Sequence, residues 1–539
     1  MNRRLPHRAL VLLCAAALSL SACSSGGTGA SDATGSADPE VAAGTDPALT
    51  RFYTQTPQWG ECEKTSEQQE FPRGLECAGV TVPVDYARPD AGDTTVEIAR
   101  LKASDGDAAG TLFLNPGGPG GSGVDMMASA DYFSSKDMRR EYDLVGFDPR
   151  GVDRSDGIEC LTDREMDAWR SEPAFDPEKQ SLDELRASSR EVGEKCHQNS
   201  SAVVSHMDTQ SVARDLDVLR AVLQQPTTHY LGFSYGTEIG ATYAHLFPAR
   251  TGRMVLDGAV DPTLDEQSAA LAQAKGFEDN LRHFVADCQE TTKDCAVAGA
   301  DVDAGISRIQ DMLATVSEGH AKTSDGRTVT ATNAIEGILV PLYSTTGYSQ
   351  LNSALQGAFD GTYDALMAFS DSNHGRSPSG EYTSNVSMAF TAVSCLDTSS
   401  AEVTDQQMAR AARDMAQQAP AFGPYLGYGA AACQGWPDEP VTPLEDYRAD
   451  VETPAMVIGT THDPATPHAW AESLTDQLGD ARLLTHDGYG HTAYTSGSSC
   501  ITDAVDDYFL RGRLPDEGTV CEQSCARRAG RDWWCLTGI

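Results

Sequence analysis

Ser234 lies between Gly232 and Gly236 in the stretch LGFSYGTEIG (231–240), directly after an apolar run. A serine hydroxyl becomes a useful nucleophile only when a neighbouring base takes its proton. The local pattern is that of a nucleophile elbow: a strand, a sharp turn carrying the serine, then a helix. Small residues stand two before and two after it because strand and helix approach closely there. A glycine-rich loop would also contain so short a pattern, so the rest of the chain has to supply the base, the acid and the donors for an oxyanion.

On an elbow of this kind the order along the chain is nucleophile, acid, histidine. Asp463 follows the apolar run of MVIGTTHDPATP, and His491 stands in a glycine-flanked loop of LLTHDGYGHTAY. The interval between them has room for one helix and one strand. His462 and His486 fall within or beside predicted strands, and His468 falls at a predicted helix start, which leaves His491 in the loop position a base needs. Acyl transfer also requires N–H donors aimed at the developing oxyanion. The segment TLFLNPGGPGGSG offers one at Gly118, where only glycine lets the backbone come close to a substrate carbonyl, and the residue after the nucleophile, Tyr235, offers the second. A phosphate-binding loop would end in GK[ST], which this segment lacks. The residues thus compose a Ser234–Asp463–His491 triad with an oxyanion hole at Gly118 and Tyr235. That chemistry needs no metal and no cofactor. HExxH is absent, and Cys521 and Cys525 have no second CxxC-type pair to complete a zinc site.

These residues must be positioned by a sheet. The runs TLFLN (111–115), YDLVGFD (142–148), HYLGF (229–233), RMVLDG (253–258), AMVIGT (455–460) and ARLLTH (481–486) are apolar without alternation, as strands buried on both faces of a parallel sheet are. Helical patterns lie between them. In DTQSVARDLDVLRAVLQ (208–224), Val212, Leu216, Leu219 and Leu223 recur at helical spacing, with Asp208 where an N-cap belongs. Alternating strands and helices predict an α/β fold. The pattern turns mostly helical after Asp261-Pro262 and returns to α/β segments at TPAMVIGT. We therefore expect a core of residues 50–262 and 441–539, with residues 263–440 inserted as a helical cap.

The chain has 539 residues, a formal net charge of -39 and 40% hydrophobic residues. So acidic a balance argues against nucleic-acid binding, which wants a basic surface, and suits a soluble exported protein. The N-terminus reads MNRRLPHRALVLLCAAALSLSAC: a basic start, then an apolar stretch of signal-peptide length. It ends in a lipobox-like Leu-Ser-Ala-Cys. Residues 1–22 are expected to be a signal peptide, and Cys23 the lipidated first residue of the mature protein. Residues 23–49, rich in Gly, Ser, Ala and Asp, read as a flexible tether. The expected location is the outer face of the cell membrane, held by the lipid anchor alone or shed from it. Removing Cys14 and Cys23 from the 14 cysteines leaves an even number, able to pair in an oxidising compartment. Sequence proximity suggests Cys62–Cys77, Cys160–Cys196, Cys288–Cys295, Cys395–Cys433, Cys500–Cys521 and Cys525–Cys535.

The motifs N-P-G-G-P-G (115–120), G-F-D-P-R-G (146–151), G-F-S-Y-G-T (232–237), L-D-G-A-V-D-P (256–262), D-P-A-T-P (463–467) and G-Y-G-H (488–491) are together specific. Through them the chain, over about residues 50–535, resembles the tripeptidyl aminopeptidase branch of the proline iminopeptidase family, serine peptidases of the α/β-hydrolase fold. The resemblance implies a mostly parallel central sheet with a helical cap. It also implies peptide substrates with a free N-terminus, from which short peptides, tripeptides in this branch, are released through an acyl-enzyme. Two positions depart from related patterns: Pro116 stands where related iminopeptidases carry histidine, and Asp153 replaces a glycine in the G-x-G-x-S that usually follows Arg150. An aminopeptidase must also hold the substrate ammonium, for which Glu238, Asp397, Glu266 and Glu278 are candidate carboxylates, none assigned on sequence alone. The alternatives are an esterase or small-molecule amidase with the same triad, and a lipoprotein that binds peptides without cleaving them.

Overall fold

The computed structural model describes residues 46–65, 69–106, 108–398 and 403–523. The signal segment, Cys23, most of the tether and the Cys525–Cys535 pair lie outside the described residues. Nine strands form one sheet: β1 (Leu75–Pro83), β2 (Asp93–Leu101), β3 (Gly110–Asn115), β4 (Tyr142–Phe147), β5 (Thr228–Phe233), β6 (Thr251–Asp257), β7 (Ala455–His462), β8 (Ala481–Tyr489) and β9 (Val520–Glu522). Their order across the sheet is β1-β2-β4-β3-β5-β6-β7-β8-β9. The β1–β2 and β2–β4 pairs are antiparallel, and every later pair is parallel.

Each of the six apolar runs predicted as strands forms one. Five of them are buried on both faces, successive side chains pointing to opposite sides, while β8 is mostly half-buried. On β3, Phe113 joins a cluster with Val212, Leu216 and Leu219 of the Thr209–Val222 helix. Its neighbours Leu112 and Leu114 join a second cluster with Val124, Met127, Tyr508 and Phe509. The sheet is therefore a middle layer between two helical layers. Asp208 caps the Thr209–Val222 helix by accepting from the Ser211 N–H at 2.9 Å, as its position in the sequence suggests.

Between the end of β6 and the start of β7 the regular elements are all helical, from Glu266–Thr291 to Gly429–Gly435. Most share a core of their own, including Leu281, Phe284, Leu313, Ile338, Leu351, Leu366 and Phe422. The Val386–Asp397 helix is different. Its Met388, Ala389, Ala392, Val393 and Leu396 pack into the same cluster as the sheet residues Phe113, Tyr230 and Val457. It is clamped at its start by Asp153, whose carboxylate accepts from the Asn385 N–H at 3.0 Å and the Ser384 hydroxyl at 3.2 Å. Asp153 has φ 39°, the left-handed backbone that suits the glycine it replaces.

Disulfides join Cys62–Cys77, Cys160–Cys196, Cys288–Cys295, Cys395–Cys433 and Cys500–Cys521. These are five of the pairs that sequence proximity suggests, and they mark the chain as an exported protein. Among the described residues no helix is long and apolar enough to cross a membrane.

Candidate active site

The turn between β5 and the Gly236–Leu246 helix places Ser234 at φ 55°, a backbone region that side-chain-bearing residues seldom enter. Such strain costs on the order of 1–3 kcal/mol and persists only where the surroundings over-determine it. Here the Ser234 N–H donates to the Asp257 carbonyl at 2.9 Å. The Ser234 carbonyl accepts from the Thr237 N–H at 2.8 Å and the Thr237 hydroxyl at 2.6 Å. The flanking glycines are sterically required: a Cβ on Gly232 would stand 2.5 Å from the Gly236 carbonyl oxygen, and one on Gly236 would stand 2.8 Å from Asn115 Oδ1.

Asp463 lies just past β7 and His491 just past β8, adjacent parallel strands. His491 Nδ1 is 2.8 and 3.0 Å from the two carboxylate oxygens of Asp463 and 3.3 Å from the Thr466 hydroxyl. Asp463 is fully buried and fixed by three backbone donors: Ala465 N–H at 2.9 Å, Thr466 N–H at 2.8 Å and Thr492 N–H at 3.1 Å. With Nδ1 turned to Asp463, Nε2 is left for substrate chemistry. Burial opposes a charge on His491, but the Asp463 carboxylate, its hydrogen bond and the more distant charge of Asp257 outweigh it and raise the imidazole above its ordinary value.

Asp257 joins the two halves of the site. Its carbonyl takes the Ser234 N–H, while its fully buried carboxylate accepts from Ala493 N–H at 2.9 Å and Tyr494 N–H at 2.8 Å, just beyond His491. Burial pushes this carboxyl up to about 6 against those two donors. The next residue, Gly258, has φ 68° and is tightly surrounded, since a Cβ there would lie 3.2 Å from His491 Cε1 and 3.0 Å from Thr492 Cγ2. The end of β6 thus contacts both the Ser234 backbone and the segment carrying His491. No hydrogen bond joins the Ser234 hydroxyl to the imidazole in this conformation.

The glycine loop after β3 passes against the same turn. A Cβ on Gly117 would stand 2.3 Å from the Phe233 carbonyl oxygen and 3.0 Å from Tyr235 N, which sets the loop directly on the elbow. Asn115 Oδ1 takes the Gly117 N–H at 2.9 Å. The N–H groups of Gly118 and Tyr235 have no acceptor among the described residues, and Gly118 is exposed. At the far end of the loop, Ser122 and the Val124 N–H bind the fully buried Asp148, from G-F-D-P-R-G, at 2.5 and 3.0 Å.

The four candidate carboxylates separate into two groups. Glu278 accepts from the Ala421 N–H at 2.9 Å, and Glu266 lies against Gly429 in the helical insertion. Glu238 sits on the first turn after Ser234 with no hydrogen-bond donor among the described residues. Asp397 accepts from the Thr209 N–H at 2.8 Å and its hydroxyl at 2.7 Å, and that hydroxyl lies 2.6 Å from the Tyr235 hydroxyl. Burial raises both carboxyls, and the charge of Glu238 raises Asp397 further. Among the described residues neither carboxyl has a salt-bridge partner, and the two interact electrostatically.

Comparisons with known proteins identify the family. A family model described as "alpha/beta hydrolase fold" matches residues 110–294, and one described as "TAP-like protein" matches residues 419–521. Serine protease Hip1 of Mycobacterium tuberculosis (strain ATCC 25618 / H37Rv) is 35% identical over 87% of this chain and 91% of its own. Carboxylesterase B of the same organism is 35% identical over 86% of this chain and 89% of its own. Tripeptidyl aminopeptidase of Streptomyces lividans is 30% identical over 86% of each chain. On this evidence of identity and coverage, the chain belongs to the α/β-hydrolase serine peptidases, in the tripeptidyl aminopeptidase branch.

Proposed function

We propose that this protein removes short peptides, tripeptides in the first instance, from substrates with a free N-terminus, and that it works outside the membrane on a lipid anchor at Cys23. Ser234 is the nucleophile, His491 the base and Asp463 the acid that orients it. His491 Nε2 takes the proton from Ser234 as Oγ bonds to the scissile carbonyl carbon. The resulting oxyanion accepts from the Gly118 and Tyr235 N–H groups. His491 then passes the proton to the leaving nitrogen, the C–N bond breaks, and water hydrolyses the acyl-enzyme by the same route. The observation that carries the aminopeptidase reading is the Glu238–Asp397 pair. Burial raises both carboxyls and the charge of Glu238 raises Asp397 further; a bound cation would relieve them, and a substrate ammonium is such a cation.

A second reading, esterase activity, has support in the equally similar relative named carboxylesterase B. The discriminating experiment compares tripeptide anilides with free and acetylated N-termini, and a simple acyl ester, on wild type and Glu238→Gln. Cleavage of the free-amine peptide, lost on acetylation, with KM raised about tenfold or more in Glu238→Gln, is the expected result. Equal turnover of free and blocked substrates, or of the ester alone, overturns the aminopeptidase reading.

A further inference from the structure

Among the described residues four large apolar side chains are notably exposed: Tyr132, Tyr343, Phe390 and Val520. Two of them border the candidate active site. Phe390 lies on the Val386–Asp397 helix where it crosses the glycine loop, and a Cβ on Gly120 would stand 3.2 Å from Phe390 N. Tyr343 caps the Ala331–Leu342 helix of the insertion and sits on the histidine. Its carbonyl accepts the His491 N–H at 2.9 Å, and its ring meets the imidazole edge-on, with centroids 5.2 Å apart at 84°. The buried Phe277 holds the ring from another side at 5.5 Å. Even so, 42% of Tyr343 stays accessible. Its hydroxyl is nevertheless pushed up to about 12 by burial and by the charge of Asp463. Tyr343 is thus an exposed aromatic residue in direct contact with the imidazole.

From this placement we infer that Tyr343 is the specificity-determining contact for the leaving residue, the one whose amine departs from the cut, and that it selects apolar and aromatic side chains there. The inference rests on the serine-hydrolase reading of Ser234 and His491. The reason is mechanistic: His491 Nε2 must deliver its proton to the leaving nitrogen, so the residue carrying that nitrogen is bound beside the imidazole. An exposed group beside the imidazole is Tyr343, whose ring also packs against Phe277. Aromatic rings there gain an offset or edge-to-face contact as well as area. Asp397, by contrast, connects through Thr209 to the Tyr235 hydroxyl and not to His491.

The test keeps one free-amine acyl tripeptide and varies the leaving residue among Phe, Leu and Gly, measuring kcat/KM for wild type, Tyr343→Ala, Tyr343→Phe and Phe390→Ala. Tyr343→Ala keeps the backbone carbonyl that binds His491. The expected result is a wild-type preference for Phe and Leu over Gly. In Tyr343→Ala, kcat/KM should fall about tenfold for Phe and less than about twofold for Gly, with Tyr343→Phe restoring the ranking and Phe390→Ala leaving it intact. An equal fall for all three leaving residues would show that Tyr343 only positions His491, and an unchanged ranking would show that it touches no substrate. Either result overturns the inference. If blocked peptides or esters are the substrates instead, the aminopeptidase reading fails while the same ranking, measured with aryl against methyl esters of one acid, still decides the role of Tyr343.

Discussion

Ser234 pays for its position with a φ of 55°, and this predicts an asymmetry between two inactive variants. Ser234→Gly relieves the backbone strain and Ser234→Ala does not, so Ser234→Gly should melt higher, by an amount on the order of 1 kcal/mol, in thermal unfolding. At the other end of the triad, Asp463→Asn should lower kcat by about four orders of magnitude, because the tautomer of His491 is no longer fixed. The pH profile follows from signs. Protonated His491 cannot act as base, and Asp463 holds its pKa above the ordinary value against burial. The acidic limb of kcat/KM should therefore lie above pH of about 6.5 in wild type and move to lower pH in Asp463→Asn, where the supporting charge is gone. Ser234, Asp463, His491, Gly118 and Tyr235 were legible as candidates because each is announced by a local pattern. Asp257 and Thr466 lie inside two of the quoted motifs, but nothing local marks the contacts they make; Tyr343 lies in none and reaches the site only across a long stretch of chain, its carbonyl on the His491 N–H.

At the scale of elements, the motif G-F-D-P-R-G does structural work behind the site. Arg150 is fully buried. Its guanidinium pairs with Asp215 at 2.5 and 2.7 Å and donates to the carbonyls of Val84, Pro83 and His206 at 2.7, 3.0 and 3.2 Å. This ties β4 to β1 and to the Thr209–Val222 helix. Asp215→Ala leaves that charge unpaired and should cost about 3–5 kcal/mol in denaturant unfolding, as removal of one partner of a buried pair does. Strands β3 to β8 were readable because each is built around a short apolar run without alternation. The strands at the two ends of the sheet order were not: β1 (LECAGVTVP) and its neighbour β2 (DTTVEIARL) alternate half-exposed residues with buried ones, and β9 is only three residues long. The Asp153 substitution that departs from related patterns has a structural account, since it clamps the start of the Val386–Asp397 helix.

For the molecule as a whole, the formal charge of -39 sets a long-range field. Peptides bearing an added lysine should be cleaved with a higher kcat/KM at low salt, and this advantage should shrink as ionic strength rises through roughly 0.02 to 0.5 M, while neutral peptides change little. The helical insertion and the sheet converge on one corner: Tyr343 reaches His491 from one, and Asp257 binds Ser234 from the other. The central claim is that this corner acylates Ser234 with the N-terminal part of a peptide. The most direct measurement is intact-protein mass spectrometry after rapid acid quench, during turnover of a free-amine tripeptide ester. A mass increase equal to the tripeptide acyl group, mapped to Ser234, absent from Ser234→Ala and absent with the acetylated substrate, is predicted. Turnover by wild type with the adduct on another residue, or undiminished turnover by Ser234→Ala, would contradict it.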